Sequence, residues 1–394
     1  MDLIYLDNNA TTRPAPEVVA AMMPILEEFY GNPSSVHRFG SRARQAVDEA
    51  RNAAAQLIGC RDSELFFTSG GTESINTAVR GLLAGRHPRC QIVTSTVEHS
   101  ATRELCARLA KEGATTVEIG VDGAGVLDLD GLRQAVGEQT ALVSIMWANN
   151  ETGAIFPVEE IAAICQKAGV PFHCDATQAV GKIPVDAAAM GLSALSFSAH
   201  KFHGPKGVGG LFVRRGVRCP GLIVGGPQER NRRGGTENVP GIVGMGAAAA
   251  LAVNHLPDMA PVAQLRDHLE RKILRRIPHT AVNAATALRV PNTTNIGFRS
   301  LEAEAILLLL SEQGVCASAG AACSSGSLDP SHVLKAMHVD EKFAHGSIRL
   351  SLSRYTTQAE IDQAVDILEP AIRRLRQVLP VASASGLPIL PERK

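Results

Sequence analysis

The chain has 394 residues, of which 39 are acidic, 39 are basic and 45% are apolar. This length predicts two domains, and the apolar content is typical of a globular enzyme. A formal net charge of zero gives no reason to expect binding to nucleic acid or to a membrane. The apolar run EAILLLL is too short to span a membrane. The first residues, MDLIYLDNNATT, lack the layout of a signal peptide, so we expect a cytoplasmic protein.

Seven short β-prone runs follow one another in the first part of the chain. They are ELFFTS (64–69), QIVTST (91–96), TTVEIGV (115–121), ALVSIMW (141–147), PFHCDAT (171–177), ALSFSAH (194–200) and GGLFVRR (209–215). Most are continuously apolar, as strands buried on both faces are, and helical patterns fill several gaps. This alternation predicts an α/β fold with a seven-stranded, mainly parallel sheet. The short glycine-rich link between the last two runs indicates a mixed sheet at that end.

The pattern changes after residue 256. A charged helical stretch, QLRDHLERKILRRI, precedes a strand TTNIGF, a helix through EAEAILLLLSEQG, a strand SIRLSLS and a final helix. This order is typical of a smaller α+β domain. We therefore predict an N-terminal segment (1–15), a large domain (16–256), a small C-terminal domain (257–380) and a tail (381–394).

The stretch LSFSAHKFHGPKG places two lysines, Lys201 and Lys206, close to the end of an apolar run. Ligands of open α/β sheets bind at the carboxyl ends of the strands, where Lys201 is expected. A partly desolvated lysine beside a possible cation such as His200 has a lowered pKa and can act as a nucleophilic amine. This is what a Schiff base with pyridoxal phosphate (PLP) requires. The alternative is a surface lysine that only ends a strand.

Other strand ends carry groups that suit the same cofactor. In DATQAVGK, Asp175 could keep the pyridine nitrogen of PLP protonated and Gln178 could donate to its phenolic oxygen; alternatively, Asp175 caps a helix. In TSGGTES, Gly71 and Thr72 begin a helix whose N-terminus could bind a phosphate, or form a plain turn capped by Thr72. Because a cradle for an anion, a carboxylate and an amine are expected at one edge of the sheet, the sequence predicts a PLP site.

A histidine and a cysteine complete the candidate set. His99, in TVEHSA, could stack on the cofactor ring and move protons, although a lone histidine is often structural. Cys323 lies in GAACSSGSLDP, a stretch of small residues that would let a thiol reach the cofactor. Cys316 follows an apolar helix and is expected to be packed, and a buried apolar thiol is inert.

At these motifs the sequence resembles the NifS/IscS-like cysteine desulfurases, class-V enzymes of the fold-type-I PLP-dependent transferases. The resemblance extends from YLDNNATT to IRLSLSRYTT and includes NPSSVH, TSGGTESIN, EHSA, WANNETG, DATQAVGK, SAHKFHGPKG, RRGGTEN and ACSSGS. DNNATT and WANNETG favour the nitrogen-fixation-type branch. The tail lacks the longer ending of the housekeeping branch, which leaves the identity of the sulfur acceptor open.

The resemblance also implies roles for single residues. Lys201 would carry PLP and Lys206 would not, while Asp175 and Gln178 would contact the ring. The phosphate would be held by Gly71, Thr72, Ser198 and His200, and by Thr236 of a partner subunit, which implies a homodimer. His99 would act on the cofactor ring, and Asn150 would bind both the cofactor and the substrate. Arg349 would bind the substrate, and Cys323 would accept its sulfur.

The implied reaction converts L-cysteine to L-alanine and passes sulfur, as a persulfide of Cys323, toward iron–sulfur cluster assembly. Cys323 could also ligate a nascent iron–sulfur cluster transiently. Three alternatives remain open: a selenocysteine lyase or another class-V PLP enzyme such as an aminotransferase, a sulfur donor for tRNA thiolation, and a sulfur-relay scaffold without turnover. A complete Lys–Asp–Gln–His set argues against the scaffold, because a protein without turnover has no need of an electron sink.

Overall fold

The computed structural model describes residues 3–86, 90–319 and 329–378. The strands are β1 (Ile4–Tyr5), β2 (Leu65–Thr68), β3 (Gln91–Ser95), β4 (Thr115–Ile119), β5 (Thr140–Met146), β6 (Phe172–Asp175), β7 (Ala194–Ser198), β8 (Gly209–Val213), β9 (Thr280–Asn283), β10 (Thr293–Phe298), β11 (Val315–Cys316) and β12 (Ser347–Ser351). The helices are α1 (Pro16–Glu27), α2 (Arg38–Leu57), α3 (Gly71–Leu83), α4 (Ser100–Lys111), α5 (Leu129–Ala135), α6 (Val158–Lys167), α7 (Gln228–Asn231), α8 (Val239–His255), α9 (Met259–Arg276), α10 (Ala303–Glu312), α11 (His332–Ala336), α12 (Glu341–Ala344) and α13 (Gln358–Val378).

A seven-stranded sheet in the order β2-β8-β7-β6-β5-β3-β4 forms the centre of the molecule. Each of the seven predicted runs is one of its strands. β8 pairs antiparallel with β2 and β7, and the other pairings are parallel. The mixed end therefore lies where the short glycine-rich link indicated it.

Helices cover both faces of this sheet. Both faces carry apolar side chains, because successive side chains of a strand point to opposite faces. Within β5, Leu142 packs in a cluster with α3 and α4. Its neighbour Val143 packs in the larger cluster formed with α1, α2, α6 and α8. Both residues are completely buried, which explains why the strands are continuously apolar.

A second sheet, β12-β10-β9, is antiparallel and packs with α9, α10 and α13. Its core also contains Ile4 and Leu6 from the start of the chain, and β1 pairs with β11. The N-terminal segment thus runs from this second core toward the large sheet. The domain boundaries remain a prediction, and the tail (381–394) lies outside the described residues.

Within residues 3–86, 90–319 and 329–378, no single helix has both the length and the apolarity needed to cross a membrane. One pair of consecutive helices, Val239–His255 and Met259–Arg276, has the length and apolar composition of a membrane span only when the two are taken together, and the chain bends by 79° between them.

Candidate active site

A cavity of about 440 Å³ lies at the carboxyl ends of the parallel strands. Ten of the predicted site residues line it: Gly71, Thr72, His99, Asn150, Asp175, Gln178, Ser198, His200, Lys201 and Arg349. Lys206 is exposed and is not part of this lining. The loops that follow parallel strands lie at one edge of the sheet, and this is why residues distant in sequence meet here.

Lys201 ends the short 3₁₀ turn Ala199–Lys201 that directly follows β7. Its Nζ donates to the carbonyl oxygens of Asn9, at 2.6 Å, and Ala10, at 2.8 Å. Both acceptors belong to the N-terminal segment. The amine is therefore held at the floor of the cavity, where a Schiff base with a bound aldehyde could form.

Asp175 is the last residue of β6 and is 6% exposed. Its Oδ1 accepts a hydrogen bond of 3.0 Å from the backbone N–H of Thr177. The residues after it form a turn rather than an α-helix, so the alternative role as a helix N-cap does not apply. A buried carboxylate at this edge suits a protonated pyridine nitrogen.

The start of α3 provides the anion site expected from the glycines. The N-cap is Gly70, and no side chain caps this helix, so the alternative of a turn capped by Thr72 does not apply. The hydroxyl oxygen of Thr177 is buried without a hydrogen-bond partner, and a Cβ on Gly71 would lie 3.2 Å from it. Free backbone N–H groups at a helix N-terminus and an unsatisfied hydroxyl both suit a phosphate.

These observations fit PLP, whose phosphate would lie at α3 and whose aldehyde would face Lys201. Thr177 was not predicted from the sequence, although it lies in DATQ between Asp175 and Gln178, which both have predicted roles. A hydroxyl in this position gives no signal of its own, because threonine is common in turns.

Two histidines in the cavity are held neutral by burial. His99 is the N-cap of α4, and its Nδ1 accepts from the backbone N–H of Ala101 at 3.1 Å, so the neutral ring carries its proton on Nε2. Burial lowers the pKa of His99, Lys201 lowers it further and Asp175 opposes them. Burial, with the nearby lysines, lowers the pKa of His200 to about 4.

Arg349 lies on β12 of the second sheet, is 2% exposed and lines the cavity. Its guanidinium donates to the carbonyl oxygen of Asn150 at 2.9 Å and to Oδ1 of Asp7 at 2.7 Å. The cation is thereby fixed beside Asn150. A fixed guanidinium is suited to a carboxylate of a bound substrate.

Two further acidic residues near the cavity were not predicted. Burial raises the pKa of Glu151 to about 7, and its Oε2 accepts from the hydroxyl of Ser331. Burial raises the pKa of Glu98 to about 8, although Ser95 and the N–H of Met146 both donate to it. Both carboxyl groups lie next to residues with predicted roles, His99 and Asn150, so proximity in sequence was the only available signal.

Cys323 lies outside the described residues. Burial raises the pKa values of Cys60 and Cys165 to about 12 and of Cys106 and Cys219 to about 11; it also raises those of Cys174 and Cys316. Raised pKa values disfavour the thiolate that a nucleophile needs. Cys316, the alternative considered from the sequence, is only partly buried, but desolvation and the nearby Asp7 raise the pKa of its thiol, which disfavours it as the nucleophile.

Thr236 is exposed and does not line the cavity formed by the described residues of its own chain.

The part of the chain that the structure describes contains no cluster of three or more side chains able to hold a metal ion.

Comparisons with known proteins identify the family of this chain. A family model described as aminotransferase class-V matches residues 4–364. "Cysteine desulfurase 2" of Trichormus variabilis is 51% identical over 383 residues, covering 97% of this chain and 96% of its own. A cysteine desulfurase of Gluconacetobacter diazotrophicus is 52% identical over 383 residues and covers 96% of each chain. A solved "NifS-like protein" superposes with a TM-score of 0.89 at 39% identity, covering 95% of this chain and all of its own. The fold class and the resemblance are thus confirmed.

Proposed function

Since this chain belongs to the aminotransferase class-V family, we propose that it is a PLP-dependent cysteine desulfurase that converts L-cysteine to L-alanine. The observation that carries this proposal is one cavity that holds an amine (Lys201), a buried carboxylate (Asp175) and an uncapped helix N-terminus (α3). The full-length relatives named as cysteine desulfurases support the choice of substrate.

The residues of the chain divide the work of binding and proton movement. Bound in the cavity, PLP supplies an electron sink for the bonds at the α-carbon of an amino acid. Asp175 holds the proton on the pyridine nitrogen, and Lys201 moves the proton at the α-carbon of the substrate. Arg349 and Asn150 orient the substrate carboxylate. His99, neutral with its proton on Nε2, can donate to or accept from the reacting groups.

Cys323 is the proposed sulfur acceptor. Its thiolate attacks the sulfur of the substrate, an S–S bond forms, and the C–S bond of the substrate breaks. The β-carbon takes a proton and becomes the methyl group of alanine, while the two sulfur atoms are oxidised to a persulfide, so no external oxidant is needed. The persulfide then passes sulfur to an acceptor protein for iron–sulfur cluster assembly, and Cys323 can transiently ligate the nascent cluster.

We also propose a cytoplasmic homodimer, with a role in nitrogen fixation as suggested by the branch resemblance. The exposed position of Thr236, away from the cavity of its own chain, supports a contact with the phosphate in the other subunit. A mixture of Thr236→Ala and Lys201→Ala chains would form heterodimers with one intact site. Its activity should exceed the averaged activity of the unmixed variants, and a fully active monomer in sedimentation would contradict the dimer.

The function is tested by incubating the protein with L-cysteine and a thiol reductant, without a keto acid. Alanine and sulfide should appear in equal amounts, whereas an aminotransferase would need the keto acid and release no sulfide. Lys201→Ala should lower the rate on the order of 10³-fold or more, and Lys206→Ala should not. A rate with L-selenocysteine far above that with L-cysteine would instead favour a lyase.

The sulfur acceptor is tested separately. Cys323→Ser should bind PLP normally but release almost no alanine, while Cys316→Ala should remain active. Brief treatment of the wild type with L-cysteine should leave one extra sulfur on the peptide of Cys323, as measured by mass spectrometry. An extra sulfur on another cysteine would show that the nucleophile is assigned wrongly.

A further inference from the structure

The N-terminal residue Asn9 joins the candidate site to the second sheet. It is 1% exposed, and its backbone carbonyl oxygen accepts from both Lys201 Nζ, at 2.6 Å, and Gln178 Nε2, at 3.1 Å. Its side-chain amide donates to the carbonyl oxygen of Asn150 and to the hydroxyl of Thr293. One residue thus contacts the amine, the amide and the substrate side of the cavity.

A second lysine, Lys182, lies behind this residue and is 5% exposed. Its Nζ donates to Oδ1 of Asn9 at 2.9 Å and to Oε1 of Gln178. Burial, the nearby Lys201 and Arg349 all keep the pKa of Lys182 well below its ordinary value. Even a neutral amine carries two N–H groups, so both hydrogen bonds persist whether or not Lys182 is protonated.

These contacts determine which way the carboxamide of Gln178 points. Its oxygen faces Lys182, and one N–H of its nitrogen faces the carbonyl oxygen of Asn9. Gln178 also lines the cavity, which leaves its second N–H for a ligand. Without Lys182, the oxygen of Gln178 would be buried with no donor, and the carboxamide would have to turn to find one.

We propose that Lys182 is a positioning residue: together with Asn9 it orients the carboxamide of Gln178 so that an N–H group faces the phenolic oxygen of PLP. This proposal rests on the proposed function, because it concerns the same cofactor. A donor at that oxygen stabilises its negative form and thereby lowers the pH at which the imine between Lys201 and PLP loses its proton. Lys182 does not touch the cofactor and acts through Gln178.

The test is a pH titration of the absorption spectrum of the PLP-loaded protein without substrate, for wild type and Lys182→Met. The midpoint should rise by about one pH unit in the variant, which is the size expected when a hydrogen bond to a charged oxygen is lost. Lys206→Met is the matched control, since Lys206 is exposed and outside the cavity lining, and it should titrate as the wild type does.

A double-mutant cycle shows whether the effect passes through Gln178. Gln178→Leu should raise the midpoint by a similar amount, and adding Lys182→Met to it should cause little further change. If Lys182→Met does not fold, Lys182→Gln replaces it, because its amide keeps a donor and should give a smaller shift in the same direction.

Three results would overturn the proposal. A lower melting temperature of Lys182→Met with an unchanged midpoint would show a purely structural role. Additive shifts in the cycle would show that Lys182 acts on the imine directly. A wild type that forms no imine with PLP would overturn the proposed function as well, and this outcome is visible before any variant is made.

Discussion

The two ends of the cavity differ in how completely their polar groups are satisfied. At the amine end, formed by Lys201, Gln178, Lys182 and Asn9, the side-chain amides and amines make hydrogen bonds within the protein. At the phosphate end, formed by the first turn of α3 and Thr177, the helix has no side-chain cap and the threonine hydroxyl has no partner.

This difference indicates which end depends on a ligand. Buried polar groups without partners cost free energy, so the phosphate end is completed only when a ligand brings oxygen atoms to it. The amine end forms its hydrogen bonds beforehand, apart from the second N–H of Gln178, and contributes to folding with or without cofactor. Substitutions at the two ends should therefore affect different measurements.

The largest effect is expected for Asn9→Ala. The side chain of Asn9 accepts from Lys182 and Asn292 and donates to Asn150 and Thr293, so truncation leaves several buried groups without partners. The free energy of unfolding of the cofactor-free protein should fall by about 3 kcal/mol or more. Chemical denaturation measures this loss.

Asn32→Ala is the matched control, because Asn32 is exposed and the one hydrogen bond described for its side chain is accepted from the backbone N–H of Ser34. It should change the stability by about 0.5 kcal/mol or less. A loss below about 1 kcal/mol for Asn9→Ala would contradict the conclusion that the hydrogen bonds of the amine end stabilise the protein without a ligand.

A smaller effect, of a different kind, is expected for Thr177→Val. Removing a hydroxyl that has no partner should leave the cofactor-free stability unchanged or slightly higher. The dissociation constant for PLP should rise about tenfold, as when one hydrogen bond worth about 1.4 kcal/mol is lost. Equilibrium binding and denaturation measure the two quantities.

Thr68→Val provides the opposite case in the same region. The hydroxyl of Thr68 shares a hydrogen bond of 2.7 Å with Ser74 and lies 3.1 Å from the carbonyl oxygen of Gly70. Its removal should cost about 1 kcal/mol of stability without any cofactor. If Thr177→Val destabilised the cofactor-free protein as much as Thr68→Val does, the hydroxyl of Thr177 would already have a partner without a ligand. This result would contradict the description of the phosphate end.

The sequence predicted the sheet and the cavity lining because both follow from local patterns. Buried parallel strands are continuously apolar, and residues at their carboxyl ends must meet at one edge; Lys201 and Asp175 were found in this way. The antiparallel β8 was indicated by the short connection before it.

The hydrogen bonds of the amine end could not be predicted, because they join distant parts of the chain. Lys182 and Asn9 are 173 residues apart, and Asn9 and Asn292 are 283 apart. Lys182 has the same local pattern as a lysine that ends a turn, and only the fold shows that it is buried. The role of Thr236 depends on a second chain and stays a prediction, as does that of Cys323.

The smallest expected effect is the change that bound PLP makes in acid stability, and it separates two histidines. Burial lowers the pKa of both His173 and His200 to about 4, whereas in the unfolded chain a histidine titrates at about 6.5. As the pH falls from about 6.5 toward 4, the unfolded state takes up protons that the folded state does not, so stability is lost in this window and is fully present above it.

Of these two histidines, only His200 should respond to a bound phosphate. His173 is completely buried between Ser144 and Ser196, whereas His200 lines the cavity beside Lys201. Negative charge near His200 raises its pKa, so the folded PLP-bound protein takes up part of the missing proton and the loss of stability with acid becomes shallower.

The free energy of unfolding, measured between pH 7 and pH 5 with and without PLP, gives both slopes. In His200→Asn the difference between them should shrink, because only the phosphate itself and the other histidines of the cavity, His99 and His332, remain to take up protons. In His173→Asn both slopes should become shallower by the same amount. An unchanged difference in His200→Asn would show that His200 does not lie close to the bound phosphate.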